Sequence, residues 1–133
     1  MAGIIRYGTY IPYFRLTRAA IGAGKGERAV ASYDEDAVSL AVEAARDAVR
    51  GGIEPDTLLF ATLSPPYAEK LNAATIQAAL DLPAKIAAAD LGGSSRAGLG
   101  GLLLGLDLAS AGQHALPGAR QIESQEQATE PGA

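Results

Sequence analysis

The chain contains no cysteine. That one absence excludes disulfides, thiolate metal sites and a cysteine nucleophile. A single histidine, His114, leaves no multi-histidine metal site and no serine–histidine relay with a spare histidine. Basic residues are scattered, from Arg6, Arg15 and Arg18 to Lys25 and Arg28, and the formal net charge is −4. A nucleic-acid surface needs a dense basic stripe, so no nucleic-acid partner is expected. The first twenty residues hold no apolar core of a secretory signal. The longest apolar run, LGGLLLGLDLASA, is broken by Asp107 and is too short to span a bilayer. A cytoplasmic protein with no membrane partner is the expectation.

What is present reads as globular. A length of 133 residues with 48% hydrophobic and 20% charged residues suits one domain with one core. The β-rich opening GIIRYGTYIP predicts a strand over Gly3 to Thr9 that ends before Pro12. Glycines at 22, 24 and 26 predict a mobile loop over 15–30, after a short helical piece. Ser32 and Glu35 have the spacing of a capping box and open a helix through DEDAVSLAVEAARDAVR. Leu40, Ala41, Ala44 and Ala48 form its apolar face, Glu43, Arg46, Asp47 and Arg50 its polar stripe, and Gly51 and Gly52 end it.

TLLFAT, residues 57–62, is apolar without interruption and predicts a strand buried on both faces. LSPPYAEK is a loop, because tandem prolines continue neither helix nor strand. NAATIQAAL predicts a second helix, AKIAAAD a second buried strand, and about Ser94 to Ser110 a third helix. This alternation implies an α/β fold with a mixed, mostly parallel sheet. Beyond Gly112 the sequence turns polar, and the chain is expected to stop before returning to the sheet. Residues 1–112 then form the folded unit, and 113–133 a degenerate polar C-terminal segment.

The junction GGSSRAGLGG holds the chemistry-bearing residues. A phosphate loop needs Gly-x4-Gly-Lys, and Leu99 follows Gly98 where the lysine belongs. The dinucleotide pattern fails too, since Gly98 and Gly100 are followed by Leu103. A strand ending at Asp90 and turning into a helix that starts Ser94-Ser95-Arg96 instead fits a nucleophile turn. There the positive end of the helix dipole stabilises an anionic nucleophile or oxyanion. The plain alternative is that Ser94 only caps the helix.

Four segments in register, GIIRYGTYIPYFRL, GERAVASYDEDAVSLAVEAARDAV, LLFATLSPP and ADLGGSSRAGLGGLLLGLDLASAG, resemble the N-terminal part of the thiolase superfamily, and within it the 3-hydroxy-3-methylglutaryl-CoA synthase branch. The resemblance covers about residues 3 to 112 and implies a thiolase-like half domain with a buried glycine-rich helix. It implies an acyltransferase that forms carbon–carbon bonds, with a coenzyme A thioester as substrate and no permanently bound cofactor. The family's acyl-accepting cysteine falls on Ser95, and the synthase branch's acid/base glutamate falls on Leu63. The assisting histidine belongs to a second half that this chain, truncated relative to the family, does not carry. His114 matches nothing catalytic.

A thiol with a reference pKa of about 8.5 ionises near neutrality once shifted, whereas a serine hydroxyl needs a neighbouring base. Leu63 cannot exchange a proton, and Glu69 is the only nearby carboxylate in the loop. Impaired condensation is therefore expected, with Ser95 lining an acyl pocket whose amides help bind the thioester oxygen. The alternative is a non-catalytic or retro-aldolase-type subunit that acts with a partner, in the family often of zinc-ribbon and OB-fold type. A helix as apolar as residues 97–109 needs cover on every side, so exposed apolar surface and a homo-oligomer or partner subunit are expected.

Overall fold

The computed structural model describes residues 2–113 and the strand 115–118. Three parallel strands form the main sheet: β3 (Thr57–Ala61), β4 (Ala87–Leu91) and β5 (Ala115–Gly118), in the order β4-β3-β5. A hairpin of β1 (Arg15–Thr17) and β2 (Glu27–Ala29) stands apart from it, with a 3-10 turn over Arg18–Ile21 between its strands. Helices α1 (Ala37–Val49), α2 (Asn72–Ala79) and α3 (Ala97–Ser110) complete the α/β fold. Among the described residues no helix is long and apolar enough to cross a membrane.

β3 is the centre of the molecule. All five of its residues are buried, because strands flank it on both edges and helices cover both faces. Alternation along the strand sends Leu58 and Phe60 into a core with Val38, Ala41 and Val42 of α1 and Ala73 and Ile76 of α2. α3 covers the opposite face, where a Cβ on Gly101 would lie 2.9 Å from Leu91 Cδ1 and one on Gly105 would lie 3.6 Å from Ala115 Cβ. The glycine-rich helix is thus buried along Gly98, Gly101 and Gly105, while Leu99, Leu103 and Leu104 are exposed. The apolar surface expected from its composition is present.

Other expectations need correction. β5 pairs in parallel with β3, Thr57 opposite Ala115, so the chain does return to the sheet beyond Gly112. Backbone pairing, which apolar patterning does not report, forms this strand in a polar stretch. β4 starts later than AKIAAAD implies and is half-exposed, because β3 is its only neighbour. The loop expected over 15–30 contains the hairpin, with the 3-10 turn closed at Gly22 in the left-handed region (φ 69°).

The strand expected over Gly3 to Thr9 is not formed. A strand needs a neighbour for its backbone groups, and among the described residues none lies beside this segment. It runs along α1 instead: the Arg6 guanidinium donates to the Arg50 carbonyl at the helix C-terminus, and Thr9 N–H reaches Asp47 Oδ2 at 3.4 Å. Gly8 is buried there, where a Cβ would lie 2.2 Å from the Ala44 carbonyl oxygen and 2.4 Å from Ala48 N. Ala44 and Ala48 therefore seat the N-terminal segment, while α1 faces the core with Val38, Leu40, Ala41, Val42 and Ala45.

The capping box of α1 is Asp36 with Ser39. The Asp36 carboxylate accepts from Ser39 N–H at 2.8 Å, and Ser39 Oγ accepts from Asp36 N–H at 2.8 Å. Ser32 and Glu35 do pair, with Ser32 N–H donating to Glu35 Oε2 at 2.8 Å, but they close the preceding turn. Tyr10 OH donates to the other oxygen of Glu35. The Ser32 amide first, and then the Tyr10 hydroxyl, hold the Glu35 carboxyl below its ordinary value of 4.5. A depressed carboxylate stabilises the fold fully above that value, and the contribution disappears as pH falls through the folded-state value. The thermal midpoint is expected to fall on acidification below about pH 5, and Glu35→Gln to flatten that fall while lowering the midpoint at neutral pH. An acid limb unchanged by Glu35→Gln, followed by circular dichroism, would remove Glu35 from this role.

Candidate functional site

The site is built where the parallel strands end. Ala61 of β3 lies opposite Leu91 of β4, so Leu63 and Gly93 each stand two residues beyond that pair, at the same end of the sheet. Carboxyl ends of parallel strands are where α/β sheets bind ligands, because the loops and helix N-termini there are free of the ladder. α2 and α3 lie on opposite faces, and their starts flank this end. A Cβ on Gly92 would lie 4.0 Å from the Thr62 carbonyl oxygen, so the two loops touch. The loops that hold Leu63 and the GGSSR turn thus leave the same end of the sheet, although Leu63 and Ser95 are 32 residues apart in sequence.

The serines do not begin the helix. α3 starts at Ala97, after Arg96, and has no side-chain cap. Ser94 instead closes the turn before it: its carbonyl accepts from Ala97 N–H at 3.0 Å and its Oγ from Arg96 N–H at 3.0 Å. Gly93, at φ 82°, is the position in this turn that needs glycine. Ser95 sits two residues before the helix, with its side chain exposed. Among the described residues no group hydrogen-bonds its hydroxyl, so no base is placed to take its proton. Leu63 is 55% exposed, and Glu69 stands in the exposed loop between β3 and α2. His114 lies outside the described residues.

The polar centre beneath the site is one that patterning overlooks. Asp90, at the end of β4, accepts from Asn72 N–H at 2.8 Å, from Asn72 Nδ2 at 2.9 Å and from Ala73 N–H at 2.7 Å. A strand carboxylate therefore caps α2, whose own N-cap residue, Leu71, has no side chain able to do so. Asn72 is 1% exposed, and its amide also donates to the carbonyls of Tyr67 (3.0 Å) and Lys70 (3.2 Å). Its Oδ1 accepts from Tyr67 N–H at 3.3 Å. This clamp ties the loop that carries Leu63 and Glu69 to the strand that leads into Ser95. The one signal in the sequence was an aspartate closing an alanine-rich strand, with nothing to name its partner.

Concavities among the described residues lie elsewhere. One of about 590 Å³ is lined by Tyr10 to Arg15, and one of about 350 Å³ lies between α1 and α2 with Val38, Val42, Tyr67 and Thr75 in its wall. Neither is lined by Ser95 or Leu63, and geometry at the strand ends is the better guide to chemistry than volume. Among the described residues no group of three or more histidine, aspartate or glutamate side chains could hold a metal ion.

No protein-family model matches the chain. Solved structures define the class. β-Ketoacyl-[acyl carrier protein] synthase III from Thermus thermophilus superimposes with a TM-score of 0.71 at 29% identity, covering 84% of this chain and 39% of that one. The 3-oxoacyl-[acyl-carrier-protein] synthase III of Aquifex aeolicus VF5 gives 0.75 at 22% identity, over 84% and 41%, a likeness of fold alone. The chain is a thiolase-like α/β half domain. Within that class its sequence resembles the N-terminal part of the hydroxymethylglutaryl-CoA synthases. That of Archaeoglobus fulgidus is 36% identical over 129 residues, 84% of this chain and 38% of the relative, and that of Thermococcus sibiricus is 38% identical over 107 residues, 72% and 31%. MvaS in complex with 3-hydroxy-3-methylglutaryl coenzyme A has a TM-score of 0.71 at 23% identity, over 84% and 31%. The chain thus spans well under half the length of the relatives it matches.

Proposed function

We propose that this chain is an acyl-CoA-handling half domain of the hydroxymethylglutaryl-CoA synthase type, cytoplasmic, in which the acyl-accepting position is Ser95 and the acid/base position is Leu63. What supports the reading is that the loops after β3 and β4, which hold Leu63 and Ser95, leave the same end of the parallel sheet, the second running into the uncapped start of α3. In this reading a coenzyme A thioester lies against the GGSSR turn, and the free amides there face its carbonyl oxygen. Acyl transfer to Ser95 needs a base to remove the hydroxyl proton, and Leu63 cannot supply one. The chain accordingly binds the thioester and does not condense it by the family's route. The absence of any base bonded to Ser95 among the described residues favours a second form of the same reading, a subunit that acts with a partner.

Ser95→Cys separates these steps. A cysteine at this position is expected to become acetylated by acetyl-CoA, its sulfur attacking the thioester carbonyl while the coenzyme A thiol departs with the proton. The natural chain is expected to show no adduct by intact mass. Both proteins are expected to melt at higher temperature with acetyl-CoA, since ligand at a hundred times its dissociation constant contributes about 2.7 kcal/mol. A thermal shift without an adduct in Ser95→Cys supports the partner-dependent subunit. Neither a shift nor an adduct would end the acyl-CoA reading.

A further inference from the structure

The loop between β3 and α2 is fastened to the next strand, and we infer that Asp90 and Asn72 are positioning residues for acyl transfer at the GGSSR turn, fixing where that loop stands beside it. A serine, threonine or aspartate at residue 71 would cap α2 locally. Leu71 stands there instead, 45% exposed and with no side-chain cap. The acceptors come from β4: Asp90 Oδ2 takes the Asn72 N–H and Oδ1 the Ala73 N–H. A cap from 18 residues away does what a local one cannot, because it ties the start of α2 to a strand end. Asn72 extends that tie into the loop. Its buried amide donates to Asp90 Oδ2 and to the Tyr67 and Lys70 carbonyls, and accepts from Tyr67 N–H. Lys70 Nζ lies 5.2 Å from the centroid of the Tyr67 ring, so residues 67–70 close on themselves around this amide.

Asp90 comes one residue before Leu91, the last of β4, and Leu91 lies opposite Ala61, the last of β3. The tie is therefore made one residue from the level at which both loops leave the sheet. Ser95 follows Asp90 by five residues on the exit of that strand, while Leu63 and Glu69 belong to the tied loop. The role rests on the acyl-CoA reading above, in which a thioester lies against the GGSSR turn and has this loop as its neighbouring wall. Group transfer is sensitive to such placement, and shifting a bound reactant by about 1 Å costs about a hundredfold in rate. Neither Asp90 nor Asn72 has to touch the thioester to exert this effect.

Time courses of acetylation by acetyl-CoA, read by intact mass, test this in the full chain carrying Ser95→Cys. Adding Asp90→Ala is expected to slow acetylation about ten- to a hundredfold and to lower the thermal midpoint. Adding Leu71→Ser as well gives α2 a local cap but leaves the strand untied. That variant is expected to recover most of the midpoint and little of the rate. Asp90→Asn, which keeps one acceptor, is expected to fall between. Alkylation of the thiol by iodoacetamide, a small reagent that needs no placed carbonyl, is expected to stay within about twofold throughout. Recovery of the rate together with the midpoint on adding Leu71→Ser would reduce Asp90 to a helix cap and overturn the role. An acetylation rate indifferent to Asp90→Ala, or an iodoacetamide rate that falls in parallel, would overturn it too. If Asp90→Ala fails to fold, the variant that also carries Leu71→Ser decides the matter. Each of these results leaves the acyl-CoA reading standing, whereas a Ser95→Cys chain that takes no acetyl group removes acyl transfer at this turn and the positioning role with it.

Discussion

Phe60→Ala is expected to lower the thermal midpoint by about 10–20 °C, the largest loss of stability from any single truncation considered for this chain. Phe60 is 1% exposed on the central strand, and its ring fills the core between α1 and α2. Removing a buried aromatic ring costs about 3–5 kcal/mol, because neighbouring atoms held by sheet and helix backbone close the cavity only in part. A domain of this size is stable by about 5–15 kcal/mol in all, so the variant sits near the edge of folding at ambient temperature. Phe60→Leu retains most of the volume and is expected to lose far less. A fall of only a few degrees for Phe60→Ala, measured by calorimetry, would mean that the core lies elsewhere.

Asp90→Ala is expected to cost about 2–4 kcal/mol, although Asp90 is an exposed charged residue at the edge of the sheet. The substitution removes the cap of α2 and leaves the buried Asn72 amide without one of its partners. Ordinary surface changes stay within about half a kcal/mol, so the expected effect distinguishes the clamp from a solvated side chain. Its local signature is faster amide exchange in residues 63–73, with β3 retaining its protection. Asp90→Asn keeps an oxygen acceptor and is expected to recover part of the loss. Unchanged exchange in that loop, together with an unchanged midpoint for Asp90→Ala, would show that the clamp contributes nothing.

The elements that patterning revealed are those with dense local signals. TLLFAT reads as a buried strand because every residue in it is apolar or β-branched, and the structure buries Thr57 to Ala61 completely. The first helix ends at Gly51 and Gly52 as expected, both in the left-handed region at φ 104° and 85°. The helix start was displaced because Ser32–Glu35 and Asp36–Ser39 both have cap spacing, and only the second pair occupies the N-cap and N3 positions of the helix. Gly3 to Thr9 misled because β-rich composition reports which side chains suit a sheet and carries nothing about whether a neighbouring strand is present. β5 misled in the opposite sense, its pairing with β3 supplying what its own residues do not.

The site divides along the same line. Ser95 and Leu63 are proposed from local motifs, through the resemblance to the synthase family. That Ser94 closes a turn one step before the helix depends on backbone geometry. That Asp90 caps α2 depends on two segments 18 residues apart meeting across a strand end. The sequence by itself determined the chemical inventory: no thiol, no proton-transfer group at residue 63, three helices and a buried central strand. Only the tertiary structure decided which carboxylate serves which helix, and which face of α3 meets the sheet while its leucines stay outward. Periodicity along one chain records which residues share a face, but the partner of each face is set by contacts between segments distant in sequence.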